Sequence, residues 1–186
     1  MTRVEKRPTS VAHRSLAPIV DGVAASAVGT LTMDASLYQR YWHGGGTSAF
    51  PAWETSDGLV SWDKAPAPAL VAKHFLERVL GHEVPARYAR FLDNATHWAF
   101  GLATGAAYGL ITGEHKPKVW YGLPFGAAVW AAGYVVLPEL GVYKPIWKYD
   151  LKTLRNDLSA HLVFGTATAA TFCLLDRGND DRSTRA

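Results

Sequence analysis

The chain has 186 residues, with 19 Lys and Arg, 16 Asp and Glu, one cysteine and a formal net charge of +3. This length suits one domain, and a single cysteine excludes a disulfide within the chain. No basic stripe with interleaved aromatic residues is present, so the sequence does not predict nucleic-acid binding. Charges are instead segregated, because they crowd into residues 2–14, 54–90 and 143–157.

The first apolar segment covers residues 16–38 and contains two acidic residues, Asp21 and Asp34. Basic residues precede it, and Ala25-Ser26-Ala27 is typical of a signal-peptide cleavage site. We reject a signal peptide because residues 22–27 align with residues 122–127 of a later apolar segment. The segment is therefore predicted to be a membrane-spanning helix, which follows a basic cytoplasmic tail at residues 1–15. Asp34 would reach the headgroups at the far end of this helix.

Residues 39–92 are predicted to form an outer segment. Its tryptophans, among them Trp53 and Trp62, suit the membrane interface. A short helix is expected at 68–80, between Ala65-Pro-Ala-Pro68 and Gly81, with its apolar residues on one side and its charges on the other. This pattern predicts an amphipathic helix resting on the membrane. A lid that covers the ends of the other helices is an equally good interpretation.

Three further runs, 95–112, 119–138 and 158–175, contain no charged residue. Each is about as long as a bilayer core requires, roughly 18 to 20 residues. Together with the first segment they predict four spans, at 16–38, 93–112, 119–138 and 158–175. The alternative is a soluble helical bundle, but these runs show no polar face. The predicted fold is all-α: one four-span membrane domain at 16–176, followed by a polar cytoplasmic tail at 177–186.

The distribution of basic residues predicts the orientation. With four spans, both termini lie on the same side of the membrane as the turn at 113–118. Lys and Arg are denser on that side than in the outer segments. Basic residues in short loops favour the cytoplasm, so both termini are predicted to be cytoplasmic.

A pattern of fourteen residues occurs twice: residues 157–170 resemble residues 93–106, which lie 64 positions earlier. Asp, His, Phe, Gly, Ala, Thr and Ala match in register. Because the preceding apolar segments also align, the sequence predicts a four-helix transmembrane bundle built from a duplicated helix pair.

Small residues recur every fourth position in these helices, which is typical of helices that pack backbone to backbone in lipid. The residues singled out as a glycine zipper are Gly101, Gly105, Gly109, Gly122, Gly126 and Gly165. Contacts within the bundle are the favoured interpretation. The alternative is self-association or a partner membrane protein, in addition to the lipid bilayer itself.

The candidate polar site consists of the ionisable residues in or near the spans: His97, His161, Asp93, Asp157 and Asp21. Each Asp–His pair of the repeat is spaced four apart and so lies on one helix face. If the repeat is symmetric, His97 and His161 lie at matching depth and share a polar partner. Such a site could relay protons or bind a transition metal. The structural alternatives are that the two aspartates cap helix N-termini and that each neutral histidine bonds a neighbouring helix.

Residues 118–127, Lys-Val-Trp-Tyr-Gly-Leu-Pro-Phe-Gly-Ala, lie between a Thr-His helix and an Ala-His-Leu-Val helix. With Pro145-Ile146-Trp147, this arrangement resembles the YagU-type small bacterial inner-membrane proteins over about residues 94–175. The resemblance is weaker for the first helix, and the Trp-rich outer segment has no clear counterpart. It implies an inner-membrane location and a link to acid tolerance, and it supplies no reaction.

The sequence predicts a structural or accessory membrane protein whose paired histidines take up protons in acid. The competing class is a small proton- or metal-linked transporter or channel, with a path lined by His97, His161 and Asp21. A membrane enzyme is the third class, although no metalloprotease, hydrolase or phosphate-loop motif occurs. No cofactor is predicted.

Overall fold

A computed structural model describes the backbone of residues 11–113 and 116–185, and the side chains of residues 16–113 and 116–177. Within these ranges the chain is helical and has no strand. The prediction of an all-α protein is therefore confirmed. Most of the predicted basic tail, at residues 1–10, lies outside the described residues. The α-helices are α1 (Val11–His43), α2 (Phe50–Glu54), α3 (Ala67–Leu80), α4 (Ala89–Thr112), α5 (Gly122–Glu139) and α6 (Leu151–Arg185).

Three of the described helices are long and apolar enough to cross a membrane. The segments concerned are Leu16–His43 of α1, Val119–Glu139 with α5, and Leu151–Arg177 of α6. α4 is long enough but is not among them. Glycines, threonines and a histidine occupy many of its positions, and these residues lower its mean hydropathy.

The helices extend beyond the spans predicted from charge. α1 continues five residues past position 38, α4 begins at Ala89 instead of residue 93, and α6 begins at Leu151 instead of residue 158. Charged residues end an apolar run, but they are good helix formers and do not end a helix. By contrast, α3 matches its predicted bounds closely, because Pro68 lies in its first turn and Gly81, with φ of 72°, ends it.

α1 packs against α4 through small residues that face each other at four-residue intervals. Thr30 lies against Gly101, and Ser26 lies against Gly105. A methyl group added to Gly105 would overlap Ser26 and the carbonyl oxygen of Gly22. The two backbones are therefore in direct contact, as in other helices that associate through small residues. We call this row the α1–α4 ladder; its members are Gly22, Ser26 and Thr30 of α1, and Gly101, Gly105 and Gly109 of α4.

α5 packs against α6 with the same closeness. A methyl group added to Gly122 would overlap the carbonyl oxygen of Gly165, and one added to Gly126 would overlap that of His161. α1 also packs against α6. Neighbouring helices thus follow the order α4, α1, α6, α5, and α3 packs against α4. Each glycine singled out in the sequence lies against a neighbouring helix.

Candidate functional site

The α1–α4 ladder leads directly to an acid–base pair whose carboxylate is buried and whose imidazole is partly exposed. Asp34 follows Thr30 by four residues, and His97 precedes Gly101 by four, so the two side chains meet one turn beyond the Thr30–Gly101 contact. The Nε2 atom of His97 lies 3.2 Å from Oδ1 and 3.1 Å from Oδ2 of Asp34. Asp34 is only 4% exposed. A neutral His97 donates its Nε2 proton to this carboxylate, and a protonated His97 forms an ion pair with it.

Glu54, at the end of α2, lies beside this pair. Burial and the carboxylate of Asp34 raise the pKa of Glu54 above its ordinary value, although His97 nearby opposes the shift. The Oε1 atom of Glu54 is buried without a hydrogen-bond partner among the described residues. Because two carboxylates and an imidazole adjoin one another, the group can hold one or more protons at a pH where separate carboxylates would be ionised.

Hydrogen bonds and an ion pair hold the residues that follow α2 against α4. Ser56 donates its hydroxyl hydrogen to Oδ2 of Asp93, and the Ser56 backbone has φ of 50°, in the left-handed region. Arg90 donates to the carbonyl oxygen of Thr55 at 2.9 Å and pairs with Asp57 at 2.7 Å. A non-glycine residue holds a left-handed conformation only when its surroundings fix it. These contacts hold Glu54 over the Asp34–His97 pair.

His161 has a different environment. Its Nδ1 donates to the backbone carbonyl oxygen of Asp157, on its own helix, at 2.9 Å. The carboxylate of Asp157 lies 3.5 Å from the same nitrogen. The predicted partner shared by His97 and His161 is not present among the described residues. The cause is the helix order, since α1 packs against both α4 and α6 and supplies Asp34 to His97 alone.

The other predicted site residues also differ from their expected roles. Asp93 and Asp157 are not N-caps, because α4 begins at Ala89 and α6 begins at Leu151. Asp150 takes the capping role at α6, where its carboxylate accepts hydrogen bonds from Thr153. Asp21 lies 13 residues before Asp34 on α1, about 20 Å along the helix axis at 1.5 Å per residue.

A metal centre finds no support in the geometry. Across the described ranges, no group of three or more His, Cys, Asp or Glu side chains has an arrangement that could hold a metal ion. Two carboxyl groups and an imidazole in contact can take up and release protons.

Sequence reasoning missed Asp34 and Glu54 as site residues. One signal for Asp34 was present, because an acidic residue within an apolar helix marks a functional site by default. We expected Asp34 to reach the headgroups, yet it is buried against α4. Glu54 carries no comparable signal, since it lies in a segment with many charges.

Comparison with family models, curated proteins and solved structures finds no match to this chain. The fold and the site define a class: a helical protein with three membrane-length apolar helices and a buried carboxylate, paired with an imidazole, beside a second carboxyl group.

Proposed function

We propose that this chain is a four-span protein of the bacterial inner membrane, with both termini in the cytoplasm and an accessory, acid-responsive role. Three membrane-length helices support the location. The close contact of α4 with α1 supports a fourth span, since a helix packed along a spanning helix shares its environment. The orientation rests on the density of Lys and Arg, and the bacterial inner membrane on the resemblance to YagU-type proteins.

The α1–α4 ladder is the observation that favours an accessory role over transport. Backbone atoms of α1 and α4 touch where Gly22 lies against Gly105 and Gly109, and the small side chains of Ser26 and Thr30 fill the next two turns, against Gly105 and Gly101. A transporter needs a polar, water-accessible path near the middle of the membrane. Direct backbone contact occupies that space between these two helices. This packing therefore favours a protein that acts through contacts between helices over a transporter.

The acid response rests on the Asp34–His97–Glu54 group. In the unfolded chain Glu54 has an ordinary pKa, and in the folded chain its pKa is raised. Above the raised pKa, Glu54 is ionised and its charge weakens the docking of α2. As the pH falls through the raised pKa toward the ordinary one, Glu54 takes up a proton and this free-energy cost disappears. A protonated His97 also places a cation beside buried Asp34. We therefore expect a fall in pH to strengthen the packing of the α2 segment against α1 and α4.

A flux assay in liposomes tests the role. The purified protein is reconstituted with a pH-sensitive dye trapped inside, and a pH gradient is imposed. We expect no proton flux above that of protein-free liposomes. A sustained flux in the wild type that disappears in His97→Gln, and persists in the matched variant His43→Gln, would establish the competing class, a proton-linked transporter.

A further inference from the structure

A cavity that is open to the surface lies where α1, α5 and α6 meet the loop that joins α5 to α6. Its volume is about 430 Å³. This lies within the range of ligand pockets, about 300–1,000 Å³. Its walls include Leu37 and Arg40 of α1, Tyr134 of α5, Tyr143 and Tyr149 of the loop, and Asp157 of α6.

Three tyrosines form one wall of this cavity. The ring centroids of Tyr134 and Tyr143 lie 5.2 Å apart, those of Tyr134 and Tyr149 lie 5.4 Å apart, and those of Tyr143 and Tyr149 lie 6.1 Å apart. Burial, with the carboxylate of Asp157 nearby, raises the pKa of Tyr143 to about 12. A neutral phenol ring attracts cations to its face, and ammonium groups are typical ligands of such aromatic surfaces.

Opposite charges line the same cavity. Asp157 contributes a carboxylate whose side chain is 28% exposed. Arg40 donates to the carbonyl oxygen of Asn156 at 2.7 Å and to the hydroxyl of Ser159 at 3.0 Å, which fixes its guanidinium group against α6. A cavity with an aromatic wall, a carboxylate and a guanidinium group suits a ligand that carries both an ammonium group and a phosphate.

The position of the cavity identifies the source of such a ligand. Arg40 and Asp157 are the charged residues nearest positions 38 and 158, where the proposed spans 16–38 and 158–175 end and begin, and charged side chains near span ends reach the headgroup level. We propose that this cavity binds the headgroup of an ammonium-bearing phospholipid, with the ammonium group against the tyrosine wall and Asp157, and the phosphate at Arg40. This goes beyond the acid-responsive role and shares with it only the location in a membrane.

The test compares lipids retained by the protein. Nanodiscs are assembled with equal amounts of phosphatidylethanolamine and phosphatidylglycerol, the protein is extracted in detergent, and its retained lipids are quantified by mass spectrometry. We expect enrichment of phosphatidylethanolamine in the wild type. Asp157→Asn should lower the enrichment roughly fivefold, as for a partly exposed ion pair. Tyr149→Leu should lower it roughly threefold by removing one ring face.

Matched variants and a soluble probe complete the experiment. Asp63→Asn and Arg87→Gln change exposed charges of the outer segment, and we expect both to retain the wild-type enrichment, whereas Arg40→Gln should lose it. Thermal unfolding of each variant identifies any loss that comes from misfolding. The proposal is overturned if the control variants lose enrichment equally. It is also overturned if free phosphoethanolamine binds the wild type while phosphatidylethanolamine is not enriched, since the ligand would then be a soluble zwitterion.

Discussion

The two helix pairs, α1 with α4 and α5 with α6, are built alike but carry different chemistry. In both, a glycine of one helix touches a backbone carbonyl of the other. In the first pair the row of small residues ends in the hydrogen-bonded Asp34 and His97. The position 100 residues after Asp34 is Tyr134, so the second histidine has no equivalent carboxylate on the neighbouring helix. A repeated histidine therefore does not imply a repeated site.

The register of the two pairs also differs. Gly22 lies near Gly105 and Gly109, whereas Gly122, its counterpart by alignment, lies against Gly165, which corresponds to Gly101. His161 consequently falls within the close contact, with its carbonyl oxygen against Gly126. Its imidazole then bonds its own helix. Small residues permit close approach at several registers, and the register selects which polar side chains meet.

The largest expected effect comes from filling the α1–α4 ladder. Gly105→Leu places a side chain where Ser26 and the backbone of Gly22 already lie, so we expect a loss of about 3 kcal/mol or more in unfolding free energy, or failure to fold. Gly133→Leu is the matched control, since no atom lies within 4 Å of an added Cβ there. Unfolding in mixed detergent micelles measures both. Equal stability of the two variants would show that the ladder does not hold α1 against α4.

A smaller effect should separate the two histidines. His97→Leu leaves buried Asp34 without its imidazole partner, so we expect a loss of about 2 kcal/mol. His161→Leu removes a bond to its own helix and should cost about 1 kcal/mol or less. The double variant Asp34→Leu with His97→Leu should be more stable than His97→Leu alone. Equal losses of unfolding free energy in His97→Leu and His161→Leu would show that the two histidines do not differ in their contribution to stability.

The smallest effect concerns pH and Glu54. Because the pKa of Glu54 is raised in the folded chain, docking of α2 should strengthen as the pH falls. Amide hydrogen exchange at residues 50–57, corrected for intrinsic rates, should slow as the pH falls from neutrality toward the ordinary pKa of a glutamate. Glu54→Gln should remove this dependence, and Glu83→Gln, at an exposed position, should keep it. A dependence that survives in Glu54→Gln would assign the acid response to another group.

Composition and spacing located the long helices and α3, but not the ends of α1, α4 and α6 and not α2. The uncharged runs located α5 and the middle of α6, and Pro68 with Gly81 located α3. The Asp34–His97 pair could not be predicted, because its two residues are 63 positions apart and meet only at one register of two helices. Small residues alone do not specify that register. The shared histidine site was predicted from the symmetry of the repeat and not from helix packing. Because α1 packs against both α4 and α6, the two histidines have different partners.

The ladder also determines where the bulky side chains go. With glycine, serine and threonine inside, large apolar residues of α4 and α5 face outward: Phe100 is 55% exposed, Val135 70% and Ile111 72%. In the proposed four-span arrangement, association of these helices removes little apolar surface from water, because those side chains remain in lipid before and after. The heat-capacity change of unfolding comes from hydrating apolar surface. Separation of α1 from α4 within a bilayer should therefore have almost no heat-capacity change. The free energy of this separation should then vary nearly linearly with temperature.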